Sequence, residues 1–415
     1  MPYQIGTVDN TGSEGYAHWQ MLLLIHHFAG GYGTLGAPTF AGTGTGSLTK
    51  LDTHPATVTE TWTIQCTSAP SAGNEAWSVT GSVSGAKAAA TTGVAYDNGL
   101  IAFTVAAGGT AFAVGDKFTV AATQGALSAI GRAWTVLRYV NPNDITQNRE
   151  LILQGSGLSG TDQIFIGFRS YQSVSADYYN LSVAGFTGYV AGNSFVTQPG
   201  YRESGVCAHN LRIDYWLAVN GQRVAFGLKV GTPVYESGYA GKLLPYATPS
   251  QYPYPLFCGG MLNGVAATRY SDTTHSMYAK GARANAAMLF VDGSWHQPTT
   301  WPWSCPAYTG GTSGVNGTLR DTGGNYQLLP IVLTEGDGTA NANVYGELDG
   351  VRQISGFSNA VENMLQIGGS AVADNSGWTS AQRAAAIVAA GGTPWVVIQD
   401  VARTGFADYY ALRLD

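Results

Sequence analysis

Apolar residues fall at helical spacing near the start of the chain, where Trp19, Leu22, Leu23 and His26 of the segment Gly15 to Ala29 share one face by the i, i+3, i+4, i+7 rule. Ahead of it, Thr11-Gly12-Ser13-Glu14 reads as a capping box, a hydroxyl N-cap with a glutamate three residues later. Behind it, Gly30-Gly31 suits a left-handed C-terminal cap. A second helix is predicted close to the C-terminus, with Thr379 as N-cap, Gln382 completing the box, Ala384 to Ala390 propagating it and Gly391-Gly392 ending it.

Elsewhere the pattern has the period of strands. Leu211–Val219 and Gln222–Val230 flank Asn220-Gly221, a turn pair whose positions favour positive φ. Asp292-Gly293 and Asp349-Gly350 sit between further pairs of runs, Ala287–Val291 with Ser294–His296 and Val344–Leu348 with Val351–Ile354. Glu150–Gln154 and Gln163–Arg169 flank a glycine-rich turn, and Trp395–Val401 and Asp408–Leu414 make a last hairpin. Antiparallel neighbours in sequence imply meanders rather than a parallel α/β sheet.

Residues 56–124 read as a separate small β module. Thr57–Cys66, Ala76–Val83, Leu100–Val105 and Phe118–Ala122 alternate, and Ala72-Gly73-Asn74 and Asp97-Asn98-Gly99 separate them. Regular short strands with turn signals suggest an immunoglobulin-like sandwich, although the Cys…Trp…Cys spacing of antibody domains is absent. The run Trp134–Tyr139 resumes the main pattern, so the module is read as an insertion. The expected organisation is 1–55, a helix and a Gly/Thr-rich linker over 31–55 belonging to the main domain; 56–124, the inserted sandwich; 125–370, a hairpin-rich main β domain; and 371–415, a helix and hairpin packed on it. The fold class is mostly β: an antiparallel, hairpin-rich sandwich or meander with two short helices and an inserted Ig-like β domain.

Composition sharpens this picture. Charged residues make up 11% of the 415, against about 25% in a typical soluble domain, so either much of the surface is hidden against partners, the favoured expectation, or it is a Ser/Thr/Gly/Asn surface. The 56 glycines, without a collagen-like period, mark turns and bulges, and the 23 tyrosines suit strands and interfaces. A net charge of −6 and no dense Lys/Arg run exclude a nucleic-acid-binding signature. No apolar run is long enough to span a membrane, and residues 1–12 lack the basic-then-apolar pattern of a secretory signal, so synthesis in a cytoplasm without cleavable export is expected.

Candidate chemistry is sparse. Cys66, Cys207, Cys258 and Cys305 lack metal spacing and read as buried thiols, with a Cys258–Cys305 bridge left open. His18 and His26 are eight apart, not four, and with His27 read as a half-exposed helix end rather than a metal site. Glu236, Glu335, Asp337, Glu347 and Asp349 are the carboxylates available for a glycosidase-like pair, but Asp349 reads as a turn residue. Nucleophile-elbow, P-loop, zincin and dinucleotide motifs are absent, so no catalytic residue, cofactor or metal ligand is assigned. Two segments stand out instead. Leu243–Leu256, with Tyr246, Pro249, Tyr252, Pro253, Tyr254 and Pro255, reads as a stiff, extended, aromatic arm suited to an intersubunit contact or to crossing its own domain. Trp295, Trp301 and Trp303 of the segment WHQPTTWPW could stack on sugar faces.

The helix at the start, YATPSQYPYPLFCGG at Tyr246–Gly260, VYGELDGVRQISGF at Val344–Phe357 and the ending IQDVARTGFADYYALRLD together resemble structural proteins of tailed bacteriophage particles. The 56–124 segment resembles the small β-sandwich modules inserted into phage tail and virion proteins. The resemblance implies a non-enzymatic virion component of the tail, baseplate or neck, made in the bacterial cytoplasm and present in symmetric copies, with a trimer expected. The partners it implies are other copies, other virion proteins and host surface glycan, not nucleic acid or membrane. A peripheral receptor- or glycan-binding tail protein and a capsid decoration protein are the alternatives. A polysaccharide depolymerase lacks the β-helix repeat that would support it.

Overall fold

The structure is a computed structural model that describes residues 2–11, 15–157, 163–231, 234–246, 256–261, 281–282, 286–289, 293–297, 299–302, 328–335, 343–354, 362–373, 375–399 and 409–415. The chain is mostly β and its strand pairings are antiparallel. It divides into two compact units, one made of Met1–His26 with Trp134–Asp415, the other of His27–Ala133.

The larger unit holds three sheets among the described residues. The first contains, in order, Tyr3–Asp9, Arg212–Val219, Arg223–Lys229, Tyr235–Lys242, Leu256–Gly260, Ala286–Leu289 and Trp295–His296. Its central strands are buried on both faces rather than alternating. Phe226 faces Phe168 of the second sheet (Thr135–Val140, Glu150–Gly155, Ile164–Ser173, Tyr178–Phe186, Arg202–Cys207). The other face shares a core with the third sheet, which joins Trp216, Ala225, Tyr239 and Phe257 to Leu333, Val351, Val396, Ile398 and Tyr410. Burying a sheet on both sides requires space, and glycine supplies it. A Cβ on Gly227 would meet Ile398 Cδ1 at 2.2 Å, and one on Gly238 would meet Phe226 Cζ at 2.3 Å. Part of the glycine content therefore reflects packing between sheets, at Gly227, and between neighbouring strands, at Gly238, as well as turns.

The third sheet runs Gly281–Ala282, Thr299–Pro302, Leu328–Glu335, Asn343–Ile354, Tyr409–Arg413, Thr393–Gln399 and Met364–Ile367, with Leu244–Pro245 pairing off the path. Asn343–Ile354 is one strand and not the expected hairpin about Asp349-Gly350. Leu328–Glu335 pairs with both of its halves, Leu328 with Ile354 and Glu335 with Asn343, across a bulge. Gly350 at φ 67° forms that bulge, because Asp349 turns into an internal ion network instead of capping a turn. The C-terminal hairpin lies inside this sheet, with Tyr409–Arg413 bonded to Asn343–Ile354. The Asn220-Gly221 hairpin forms as expected, but neither residue is among those with positive φ. The Asn220 side-chain oxygen closes the turn instead, accepting from the N–H of Gln222 and of Arg223 at 2.9 and 3.0 Å.

Helix α1 spans Ala17–Ala29, and Ala17, His18, Met21, Leu22 and Ile25 are wholly buried while Leu23 is half-buried. The Thr11 hydroxyl donates to Asp9, and residues 12–14 of the expected capping box lie outside the described residues. His18 and His26 are buried rather than half-exposed. The His18 ring lies 2.9 Å from Gln172 Oε1, and burial holds its pKa down at about 4, so it is neutral at pH 7. His26 stacks on Tyr139 at 3.9 Å. A four-residue helix, α2 at Ala126–Ala129, is additional to the two helices expected. Helix α3, Ser380–Ala389, carries the predicted capping box of Thr379 and Gln382.

The smaller unit is a two-sheet sandwich. Thr34–Leu35 and Thr39–Ala41 pair beside Lys117–Thr123, followed by Glu60–Ser68, Ala76–Gly81 and Gly85–Thr91; the second sheet is Ser47–Thr53, Ile101–Ala106 and Ala95–Asp97. Trp62, Ile64, Trp77, Val79, Phe103, Val105, Phe118 and Val120 alternate inward to form one core. Residues 31–55 are thus not a linker. They contribute three strands, and Ser47–Thr53 is an integral strand of the second sheet. The threonines and glycines of 31–55 resemble a loop locally, whereas Thr is a good strand former once a partner is present.

Candidate functional site

The carboxylates considered for catalysis are committed elsewhere or isolated. Asp349 Oδ2 accepts from Arg223 Nε at 2.9 Å and Asn220 Nδ2 at 2.9 Å, and its Oδ1 accepts from Arg413 Nη2 at 3.1 Å. Burial pushes its pKa up, but the two guanidinium groups outweigh this and hold the carboxyl below its usual range. Glu347 pairs with Arg352 at 2.8 Å and accepts from the Tyr246 hydroxyl at 2.9 Å. The Glu335 side chain and Asp337 lie outside what is described.

Glu236 is fully buried, and neither carboxyl oxygen has a hydrogen-bond partner. Desolvation raises its pKa well above the ordinary value of 4.5. A raised carboxyl pKa means that the folded state holds a proton the unfolded state releases above pH 4.5, so this group's contribution to stability falls as pH rises. Glu236→Gln is therefore expected to be near neutral at pH 5 and stabilising at pH 8. Denaturant midpoints of both proteins at the two pH values check this; an unchanged difference between them would refute it.

Cys66, Cys207 and Cys258 are free, buried thiols, and burial pushes Cys258 up to about 12. Cys305 lies outside the described residues. No group of three or more His, Cys, Asp or Glu is placed to hold a metal ion among the described residues, and no described helix is long and apolar enough to cross a membrane.

Of the Pro/Tyr arm, residues 243–246 and Leu256 are described, Leu244–Pro245 pairing with Gly346 and Glu347, and of the contact residues singled out only Tyr246 is among them. It is exposed, and its backbone N–H donates to the Tyr345 carbonyl at 3.0 Å. Pro249, Tyr252, Pro253, Tyr254 and Pro255 lie outside the described residues. Trp295 is half-buried rather than openly exposed: its indole N–H donates to the Gly200 carbonyl at 2.6 Å and its ring edge packs against Gly185. Trp301 lies on the strand Thr299–Pro302 with its side chain not described, and Trp303 is outside the described residues.

The surface that most invites a partner is one the sequence reading missed, the tip of the inserted sandwich. Lys117–Thr123 places Thr123 opposite Thr34, near where the chain enters and leaves, and Lys117 opposite Gln65 at the far end. At that far end gather the loops 42–46, 69–74, 92–94 and 106–115, which contain no Asp, Glu, Lys or Arg. They are bonded into one surface: Thr45 N–H donates to Thr110 O, Gly93 N–H to Val105 O, and Gly115 N–H to Cys66 O. Val94 and Val114 are 57% and 66% exposed there.

The adjoining acids are turned inward. Asp116 accepts from the N–H groups of Thr43, Gly44 and Ala113, each at 3.0 Å. Glu75 accepts from the Gly73 N–H at 3.1 Å. Burial pushes both carboxyls up, but backbone hydrogen bonds outweigh it and hold both below their usual range. Sharp loops leave N–H groups without strand partners, and a buried carboxylate satisfies several together. The consequence is an exterior mostly of small, neutral and aliphatic groups, with the exposed Lys117 at its edge. Local signals of this were the Gly/Ala/Ser runs, but only the strand pairings show that they converge.

No family model matches the chain, and no curated protein matches it. Among solved structures it is similar to two crystal forms of Xanthomonas campestris FlgL, in space groups H3 and C2, at 18% identity and TM-scores of 0.18 and 0.17. Each match covers 25% of this chain and 33% or 35% of the FlgL chain, about a third of its length. A likeness of that size carries no argument about fold or function.

Proposed function

We propose that this chain is a non-enzymatic building block of a tailed-phage particle, in the tail, baseplate or neck, working by association with its own copies, as a trimer, and with neighbouring virion proteins. The observation that supports this reading is the set of four loops without a charged residue at the tip of the inserted sandwich. Charge on a surface keeps a protein solvated and apart from others, and its depletion is the compositional mark of interface cores. The tip occurs in a chain with 11% charged residues and a sequence resemblance to virion proteins.

The test is the mass of the purified protein by light scattering, with antibody labelling of particles in the electron microscope. A closed oligomer and label on a tail or neck are expected. Val94→Lys with Val114→Lys, at exposed positions where folding is little affected, is expected to weaken association while leaving the thermal melt unchanged. A monomer that labels no particle would sink the proposal.

A further inference from the structure

We propose that the cleft beside helix α3 binds a neutral sugar ring, with Trp378 as the stacking platform. This does not depend on the assembly reading. Among tryptophans whose side chains are described, Trp19, Trp62, Trp77, Trp134, Trp216 and Trp395 are buried and Trp295 is half-buried, whereas Trp378 is 41% exposed. It lines a cleft of about 230 Å³ between the edge strand Met364–Ile367, the loop before α3 and the start of that helix. This is below the roughly 300–1,000 Å³ of drug-sized pockets and fits a small polar ligand.

The lining is mainly polar and supplies what a pyranose needs. Asn363 and Asn375 are exposed in the cleft, and neither side-chain amide makes a hydrogen bond within the protein. Each amide offers a donor and an acceptor side by side, a match for adjacent sugar hydroxyls. Ser380 adds a hydroxyl. An indole face takes the C–H face of the ring, while its N–H is available at the edge.

The charged members of the lining have protein partners. Glu362 accepts from Lys229 Nζ at 2.5 Å and from the Tyr235 hydroxyl at 2.7 Å, and Arg383 Nη1 donates to the Ala373 carbonyl at 3.2 Å. The uncharged groups are thus the ones free to meet a ligand, which favours a neutral sugar over an acidic one.

The backbone supports a built site. Glu362 holds φ at 67°, a conformation rare outside glycine, and its N–H donates to the Val397 carbonyl at 2.7 Å. Gly377 at φ 111° sets the turn in which the Trp378 N–H donates to the Asn375 carbonyl at 3.1 Å. The second of these places Asn375 and Trp378 on one turn.

The test is saturation-transfer NMR of the full chain against glucose, galactose, mannose, N-acetylglucosamine and glucuronate, followed by titration calorimetry. Transfer to at least one neutral sugar is expected. Trp378→Ala should abolish it, Asn375→Ala should weaken it about tenfold, and Trp378→Phe should retain part of it. Thermal melts confirm that the variants fold. Transfer to glucuronate alone, to none of the sugars, or to a neutral sugar in a manner that survives Trp378→Ala would overturn the assignment.

Discussion

Asp349→Ala is expected to destabilise the larger unit by about 3–5 kcal/mol, the cost of leaving a buried cation without its partner. Arg223 is wholly buried, and its guanidinium meets Asp349 through Nε at 2.9 Å and Asp415 through Nη2 at 3.0 Å. Arg413 completes the cluster, donating to Asp349 at 3.1 Å and forming an ion pair with Asp415 at 2.5 Å. Two cations and two anions balance there, and Arg223 Nη1 already lacks a hydrogen bond, so nothing is spare to replace Asp349. Arg223→Met with Asp349→Leu removes the buried charge as well as its partner and leaves Arg413 with Asp415. That double variant is expected to lose less stability than Asp349→Ala alone. Denaturant midpoints and slopes of the three proteins decide the matter. A single variant costing under about 1 kcal/mol would show that water reaches Arg223.

The second large effect concerns the tip. Asp116→Ala leaves the N–H groups of Thr43, Gly44 and Ala113 without their acceptor, at an expected cost of about 2–4 kcal/mol to the inserted sandwich. Its carboxyl is held below the ordinary value of 3.8, so the stability it contributes is fully present above that pH and is lost as pH falls through the lower, folded value. Glu60 and Glu75 behave in the same sense from an ordinary value of 4.5. The sandwich is therefore expected to hold its stability down to about pH 5 and lose it in more acid solution. Asp116→Ala should make that acid loss shallower while lowering the plateau. Scanning calorimetry of the full chain across pH reads both; a plateau unchanged by the substitution would refute the role assigned to Asp116.

Much of the architecture was legible locally. The capping box of Thr379 and Gln382, the hairpin at Asn220-Gly221 and the alternation of Thr57–Cys66 and Phe118–Ala122 depend on neighbours in sequence, and the fold reproduces them. The places that differ are those where a distant partner decides. Ser47–Thr53 looks like a linker until Ile101–Ala106 lies beside it. Asp349-Gly350 has turn chemistry, yet Arg223, 126 residues away, draws the carboxylate inward and makes a bulge. His18, His26 and His27 read together as a half-exposed helix end, yet His18 is buried and Gln172, 154 residues away, meets it in the core.

The candidate surfaces divide in the same way. Composition alone established a chain poor in charge and rich in glycine and aromatics, from which a surface kept for partners is an expectation. It singled out Trp295, whose indole N–H is bonded to Gly200, and passed over Trp378, which is exposed. Exposure is a property of what fails to pack against a side chain, and no local pattern records that. The charge-poor tip is likewise a tertiary fact. Its four loops are scattered over residues 42–115, and the buried carboxylates of Asp116 and Glu75 take the acidic charge of that end inside, leaving Lys117 exposed at its edge. Secondary structure follows from short-range sterics and hydrogen bonding, which the sequence carries residue by residue. Where charge is hidden and where an indole is left open depends on pairings made across the whole chain, and only the folded structure decides them.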